Sequence, residues 1–467
     1  MNSKADIQKS FYIHTLGCKV NQYESQAMRE ILISGGFNES ASKESAGIYI
    51  VNTCTVTHHA DKECRYLIGM LHRTNPQASI VLAGCYVENG GKDVLSLPGV
   101  THIVKNSEKN RIADILSERS PAQPIGRPGL NLAYPVLKVP SAEPNLAITG
   151  FKDRTKAFVK IQDGCENRCS YCKVPLVRSV LESKPLDKIV EEVSVLARAG
   201  FKEMVLAGIC LGAWGKEIFP SEIAGTVGLA GADLVDVLKA LEKIDGDFRI
   251  RLSSIELKYV TDELVEFMSN SKRICAHLHI PLQSGDDTIL KRMNRPYTAS
   301  GYLDVVSKLV RSMKDIAIST DVMVGFPGES NANFKNTMSL IKAIMPVRAH
   351  IFTFSKRDGT PAFNMVPEVP EYVARERYND LRKDALLSSY LYRTMFLERT
   401  LRVLVETKRD NKTRLLTGYS DNYIKVLFGG PDELKGKIVP VRITEVTQTH
   451  TKGVKITWPM SETSALS

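Results

Sequence analysis

The run Asp163-Gly164-Cys165-Glu166-Asn167-Arg168-Cys169-Ser170-Tyr171-Cys172-Lys173 sets three cysteines in CxxxCxxC spacing. Three thiolates are one too few to close a tetrahedral structural zinc site, and no histidine or second CxxC stands nearby to supply a fourth. Ferredoxin-type clusters draw on denser cysteine runs, and a thiol–disulfide site would use only Cys169 and Cys172. A four-iron cluster held by Cys165, Cys169 and Cys172 keeps one iron free of protein ligands, and that iron is open to a substrate or cofactor. The spacing therefore predicts catalytic chemistry at these three residues. Tyr171 reads either as a residue packed on the cofactor or as a hydrophobic anchor of the loop.

Outward from the triplet, residues 157–162 read as a strand and residues 186–199 as a helix. Further strands are expected at 203–207, 248–252, 277–281, 317–324 and 348–354, with helical segments between most of them. That alternation implies a closed or partly closed (β/α) barrel whose site lies on the rim at the carboxyl ends of the strands. Gly208 ends one strand and allows close backbone approach to a cofactor. Ser253 stands at the next rim position, Gln283 follows the His277 strand, and Val324 precedes the turn Gly325-Phe326-Pro327-Gly328-Glu329. Gly208, Ser253, Gln283, Val324 and Tyr171 are the candidate cofactor-binding residues. A strand histidine can serve only to hydrogen-bond backbone, so neither His277 nor His279 is assigned as a base.

The preceding region, residues 10–135, alternates short apolar strands at 11–15, 47–52, 78–84 and 100–104 with helical spacing such as that of 22–32. This pattern predicts an open parallel α/β sheet. Cys18, Cys54 and Cys85 each follow one of these strands, where ligands of open sheets collect. A second metal centre and three separately buried cysteines both satisfy that placement. Cys64 falls in a charged helical segment and is not a fourth ligand. Residues 118–150, rich in Pro, Gly, Ser and Ala, read as a linker. Beyond a charged, mostly helical stretch at 372–400, short β-branched segments at 401–405, 413–419, 423–428, 436–446 and 453–458 predict a small antiparallel β-barrel. The tail, residues 460–467, is expected to be disordered.

The chain of 467 residues is long enough for two or three domains, and 43 % hydrophobic content supports substantial cores. Its 62 basic and 52 acidic residues leave a net charge of +10, an excess suited to phosphate contacts but weak evidence alone. Nine cysteines in this length do not describe a small disulfide scaffold. The opening residues lack an apolar targeting segment and no stretch approaches a membrane span, so a reducing cytoplasmic location is expected.

The segment from Cys165 to Cys172 resembles the signature of the radical S-adenosylmethionine enzymes. The order of all six cysteines and the terminal barrel together resembles the methylthiotransferase family, across about residues 10–458. The resemblance implies a methylthiotransferase domain at 10–135, a radical S-adenosylmethionine partial barrel at 151–385 and a TRAM-like RNA-binding barrel at 400–458. It also implies two [4Fe-4S] clusters, one on Cys18, Cys54 and Cys85 and one on Cys165, Cys169 and Cys172, with S-adenosylmethionine cleaved to a 5′-deoxyadenosyl radical at the second. Thr15-Leu16-Gly17-Cys18-Lys19-Val20-Asn21-Gln22-Tyr23-Glu24 is similar to the branch acting on N6-threonylcarbamoyladenosine at position 37 of tRNA, and Asn52-Thr53-Cys54-Thr55-Val56-Thr57 agrees. Implied partners are the tRNA anticodon stem-loop and an electron donor such as flavodoxin or ferredoxin, with no membrane. Tyr419 and Tyr423 are candidates for base stacking, and Lys408, Arg409, Lys412 and Arg414 for phosphate contacts. The alternatives are methylthiolation of isopentenyladenosine or of a ribosomal protein, and a non-catalytic RNA-binding iron–sulfur sensor. Ser179, Glu182 and Cys210 depart from the family pattern, Arg178 keeps it, and the six cysteines are intact.

Overall fold

The computed structural model describes residues 9–89, 94, 96–118, 146–216 and 231–457. Most of the expected linker and the expected disordered tail lie outside the described residues. The chain forms two compact units, Met1–Ile148 with Lys173–Ser179, and Thr149–Cys172 with Val180–Ser467.

The first unit is a sheet in the order β2-β1-β3-β4-β5, built from β1 (Ser10–Thr15), β2 (Asn38–Glu39), β3 (Ile48–Thr53), β4 (Ser79–Gly84) and β5 (Val100–Val104). Every pairing is parallel. All six residues of β3 are buried, because helices cover both faces of the sheet. Tyr49 and Val51 point to one face and pack with Ile68 and Leu71 of helix His58–Thr74. Ile48 and Ile50 point to the other and pack with Met28 and Leu32 of helix Lys19–Ser34. Helix His58–Thr74 starts at Thr57, whose hydroxyl accepts from the Ala60 amide at 3.1 Å. Cys64 is buried on that helix, in the core.

The second unit carries β6 (Ala157–Asp163), β7 (Glu182–Ser183), β8 (Glu203–Gly208), β9 (Arg249–Leu252), β10 (His277–His279), β11 (Ala317–Val324) and β12 (Arg348–Thr353). The sheets β7-β6-β8-β9 and β10-β11-β12 are linked by parallel bridges Ile250 to Ile274 and Ser254 to His279. Apart from the short antiparallel β7, the strands run parallel, as a partial (β/α) barrel requires. Asp233, Thr261, Thr298 and Ser330 each cap one of the outer helices with a side-chain oxygen. Each such cap contributes about 1 kcal/mol.

Helix Glu371–Thr394 leads into a closed barrel, β13 (Thr400–Val405), β14 (Leu416–Ser420), β15 (Lys425–Phe428), β16 (Ile438–Val446) and β17 (Thr451–Lys455). The order is β13-β14-β15-β17-β16, antiparallel except where β15 meets β17. Its interior packs Val403, Val405, Leu416, Phe428, Val441 and Ile443. The strand expected from residue 413 begins at Leu416. Asp410 Oδ1 captures the amides of Lys412 and Thr413 at 3.1 and 2.8 Å, and Arg414 takes a φ of 59°, so these residues form a turn.

Candidate active site

In the first unit, Cys18, Cys54 and Cys85 stand just beyond the carboxyl ends of the adjacent strands β1, β3 and β4. Asn21 stitches these ends together, its Nδ2 donating to Leu16 O and Thr53 O at 2.8 Å each. Asn52 Nδ2 answers with bonds to Asn21 O at 2.8 Å and Ser25 Oγ at 3.0 Å. Gly17 has a φ of 100°, and a Cβ there would lie 2.7 Å from Cys54 Cβ. The same Cβ would lie 3.1 Å from Cys54 Sγ, so a side chain at position 17 would press on that thiol. Cys18 occupies the N-cap position of helix Lys19–Ser34; burial pushes its thiol up, and Arg178 opposes the shift. Burial pushes Cys54 up to about 11, and Cys18 and Cys85 add to the shift, so the three sulfurs share one electrostatic environment.

Charged groups whose place beside this trio the sequence reading did not anticipate surround it. Arg178 is buried, and its Nε donates to Cys85 Sγ at 3.3 Å. Its two terminal nitrogens grip the Glu24 carboxylate at 2.9 Å each. Lys109, fully buried, makes a second ion pair with Glu24.

In the second unit, the Cys165–Cys172 loop follows β6. Gly164 turns the chain with a φ of 77°, and a Cβ there would stand 1.8 Å from Val180 O. Gly164→Ala is therefore expected to lower stability on the order of 1–3 kcal/mol through backbone strain alone. Gly429→Ala, with nothing within 4 Å of the new methyl group, serves as the control, and the urea midpoints of the two variants make the comparison. The loop is anchored by Ser170, whose amide and hydroxyl donate to Met293 O at 3.0 Å and Arg292 O at 2.8 Å. Tyr171 meets Phe326 edge-on, centroids 6.4 Å apart, in an apolar cluster with Ile289 and Met293.

Arg295 repeats the arrangement of Arg178. It is buried, donates to Cys169 Sγ at 3.3 Å, and is paired with Glu256. Burial pushes Cys169 up, and Arg295 opposes the shift. A hydrogen bond with the buried Cys210 thiol brings Cys165 down to about 7, and pushes Cys210 up in return. The cysteine that departs from the family pattern thus rests against the first thiol of the triplet. A cavity of ≈ 390 Å³ opens here, lined by Asn167, Arg168, Cys169, Glu256, Lys258 and Arg295 among others.

The four other candidate cofactor-binding residues fall on the strand-end rim. Gly208 ends β8, and a Cβ there would lie 2.9 Å from Leu211 Cα. Ser253 follows β9, and its hydroxyl is buried with no hydrogen-bond partner. Gln283 has a φ of 65° and bridges to Val322, while Val324 ends β11 fully buried. Gly325 and Gly328 have a local reason. A Cβ at the first would stand 2.6 Å from Ala374 Cβ, and at the second 3.0 Å from the Arg292 guanidinium carbon.

Tyr419 and Tyr423 require a correction. Tyr423 stacks on His277 with centroids 4.4 Å apart, and Arg251 lies 4.9 Å from its ring centre. Tyr419 stacks on Tyr423 at 5.1 Å and carries Lys156 at 4.2 Å. These rings fasten the terminal barrel to Lys156 just ahead of β6, to Arg251 of β9 and to His277 at the start of β10, and do not offer free faces to bases. Arg409 is likewise engaged, with Asp432 and the carbonyl of Gly430, whereas Lys408, Lys412 and Arg414 are exposed.

Among the described residues, no three His, Cys, Asp or Glu side chains are placed to hold a single metal ion. A four-iron centre asks for less convergence, because each thiolate binds its own iron. The soft, all-sulfur donor sets and the absence of a side chain at Gly17, against Cys54, fit such centres.

Family models agree with this organisation. The radical SAM superfamily matches residues 159–341, the TRAM domain residues 397–456, and the uncharacterized protein family UPF0004 residues 10–105. The threonylcarbamoyladenosine tRNA methylthiotransferase MtaB of Bacillus subtilis is 36 % identical over 446 residues, covering 94 % of this chain and 95 % of the relative. The chain belongs to the radical S-adenosylmethionine methylthiotransferase family. The Thermotoga maritima MtaB is also 36 % identical, over 94 % of this chain and 95 % of its own. A tRNA-2-methylthio-N(6)-dimethylallyladenosine synthase of Clostridium tetani is 30 % identical over 98 % of both chains. The radical S-adenosylmethionine methyltransferase TsrM of Kitasatospora setae shares the fold, with a TM-score of 0.52 at 16 % identity over 76 % of this chain and 75 % of TsrM. As a member of the family, the protein uses S-adenosylmethionine and iron–sulfur chemistry. Among the described residues no helix is long and apolar enough to cross a membrane.

Proposed function

We propose that this methylthiotransferase converts N6-threonylcarbamoyladenosine at position 37 of tRNA to its 2-methylthio derivative. The observation that carries the reading is the pair of cysteine trios, each at the carboxyl ends of parallel strands and each with a glutamate-held arginine on one thiol. The 36 % identity to relatives named for this nucleoside, against 30 % to the dimethylallyladenosine synthase of Clostridium tetani, supports the substrate.

In this reading Cys165, Cys169 and Cys172 hold one [4Fe-4S] cluster, and Cys18, Cys54 and Cys85 hold a second. When bound, these groups with S-adenosylmethionine supply radical formation and sulfur, which replacement of an unactivated carbon–hydrogen bond needs and side-chain acid–base chemistry lacks. Arg295 neutralises thiolate charge at Cys169, and Glu256 keeps its guanidinium in place. The orphaned Ser253 hydroxyl offers a hydrogen bond to S-adenosylmethionine, while Gly208, Gln283 and Val324 shape the same rim. Residues 10–135, 151–385 and 400–458 divide the work as sulfur donor, radical generator and RNA grip. Lys408, Lys412 and Arg414 make the phosphate contacts. In the same reading the location is cytoplasmic, and the reductant is an electron donor such as flavodoxin or ferredoxin.

The test is anaerobic reconstitution followed by incubation with reductant, S-adenosylmethionine, sulfide and tRNA carrying threonylcarbamoyladenosine. Mass spectrometry of the nucleosides is expected to show the gain of one methylthio group. Gain on isopentenyladenosine instead overturns the substrate, and absence of any 5′-deoxyadenosine supports the sensor alternative.

A further inference from the structure

Arg178 stands six positions beyond Cys172 in sequence, yet its segment Lys173–Ser179 folds as part of the first unit. There it is 5 % exposed and places a charged N–H on Cys85 Sγ. Its remaining donors are taken by Glu24, by Asn106 Oδ1 at 3.2 Å and by Asn21 Oδ1 at 3.5 Å. The guanidinium is therefore fixed on every side, and Asn21 ties it to the same residue that binds Leu16 O and Thr53 O beside the other two cysteines. Lys109 pairs with Glu24 from another direction. Arg178 thus sets its positive charge directly against the Cys85 sulfur, with Glu24 holding it there. Positive charge and N–H donors at a cluster's sulfurs favour its reduced, more negative state and so raise its reduction potential.

We propose that Arg178 is a positioning residue for the iron–sulfur centre on Cys18, Cys54 and Cys85, holding Cys85 and setting that centre's reduction potential. The inference rests on the two-centre reading above. The same seven-residue segment thus follows the last cysteine of one trio and completes the surroundings of the other.

The experiment uses the full chain with Cys165, Cys169 and Cys172 all replaced by alanine, so that only the first centre is reconstituted. An electron paramagnetic resonance redox titration reads its midpoint potential. Arg178→Gln is expected to load iron and to titrate at a more negative potential than its parent. Arg178→Lys, which keeps the charge and loses the fork, is expected to fall between them. An unchanged potential in the loaded Arg178→Gln protein overturns the proposal. If Arg178→Gln does not load, Arg178→Lys decides: a potential more negative than the parent's supports the proposal, and a parent-like potential or failure of both variants to load overturns it. If the parent itself binds no iron–sulfur centre, the two-centre reading fails, and this inference with it.

Discussion

Replacing Cys169 by alanine is expected to abolish cleavage of S-adenosylmethionine while leaving the fold intact. The two remaining thiolates of the loop can satisfy only two irons of a cluster that needs three protein ligands to keep one site open. Cys169 is the best placed of the trio for a clean test. Its sulfur is buried and, among the described residues, accepts from Arg295, whose guanidinium keeps its bonds to Glu256 and to the Tyr297 hydroxyl at 3.0 Å after the change. The small apolar side chain that results leaves no new unpaired group of its own. Chromatography of 5′-deoxyadenosine provides the measurement, with iron content and the urea midpoint of the metal-free protein alongside. Retention of full cleavage would sink the assignment of Cys169 as a ligand. The contrasting variant is Cys85→Ala, in the other trio. It is expected to keep measurable 5′-deoxyadenosine formation and to lose methylthiolation, because it disturbs sulfur supply and not radical formation. Normal methylthiolation by Cys85→Ala would remove that residue from the second centre.

The largest expected effect on stability comes from Glu203. This carboxylate begins β8, is fully buried, and accepts from Arg249 Nε at 2.7 Å and Arg251 Nε at 2.8 Å. The same arginines reach into the terminal barrel, to the carbonyls of Tyr419 at 2.8 Å, Ser420 at 3.0 Å and Asp421 at 2.9 Å. Glu203→Gln preserves shape but leaves Arg251 without a carboxylate and Arg249 with Asp421 alone. The expected loss is about 3–5 kcal/mol, the range for breaking a buried ion pair from one side. Glu406→Gln, which removes a half-buried partner of Lys156 at 3.1 Å, is expected to cost less than 1 kcal/mol on the ~0–1 kcal/mol scale of accessible pairs. Urea midpoints separate the two cases. The pH dependence has a definite sign. Burial alone would push Glu203 up, but Arg251, Lys156 and Arg249 together hold it well below its ordinary value of 4.5. A carboxylate depressed in the folded state stabilises above the unfolded value and loses that contribution as pH falls through the folded one. The stability gap between the native protein and Glu203→Gln should therefore be constant near neutrality and begin to close below about pH 4.5. A gap that stays constant through this acid range would show that Glu203 carries no net charge in the folded protein.

Much of the architecture was legible because its signals are local. A run such as Ile48–Thr53 can be buried on both faces only between helices, and it became the fully buried central strand. Cysteines just past strand ends were brought to one edge of the sheet by parallel pairing. The CxxxCxxC loop, the rim positions of Gly208, Ser253, Gln283 and Val324, and the terminal barrel followed from the same short-range patterns. The start of β14 was misplaced because a single carboxylate, Asp410, turned the preceding residues away from the sheet.

What the sequence by itself determined, then, was the order of the elements, the six cysteines at strand ends and the family to which they point. The charges beside those cysteines were decided only by tertiary structure. The pairing of Arg178, Glu24, Lys109, Arg295 and Glu256 is not written in the linear chain, because their partners lie tens to more than a hundred positions away. The tyrosines of the terminal barrel have the same local signature whether they face RNA or a neighbouring strand end, and packing against His277, Arg251 and Lys156 chose the second. The physical reason is common to both. Hydrophobic periodicity is written residue by residue, whereas the burial and pairing of a polar group depend on which distant segments the fold sets beside it.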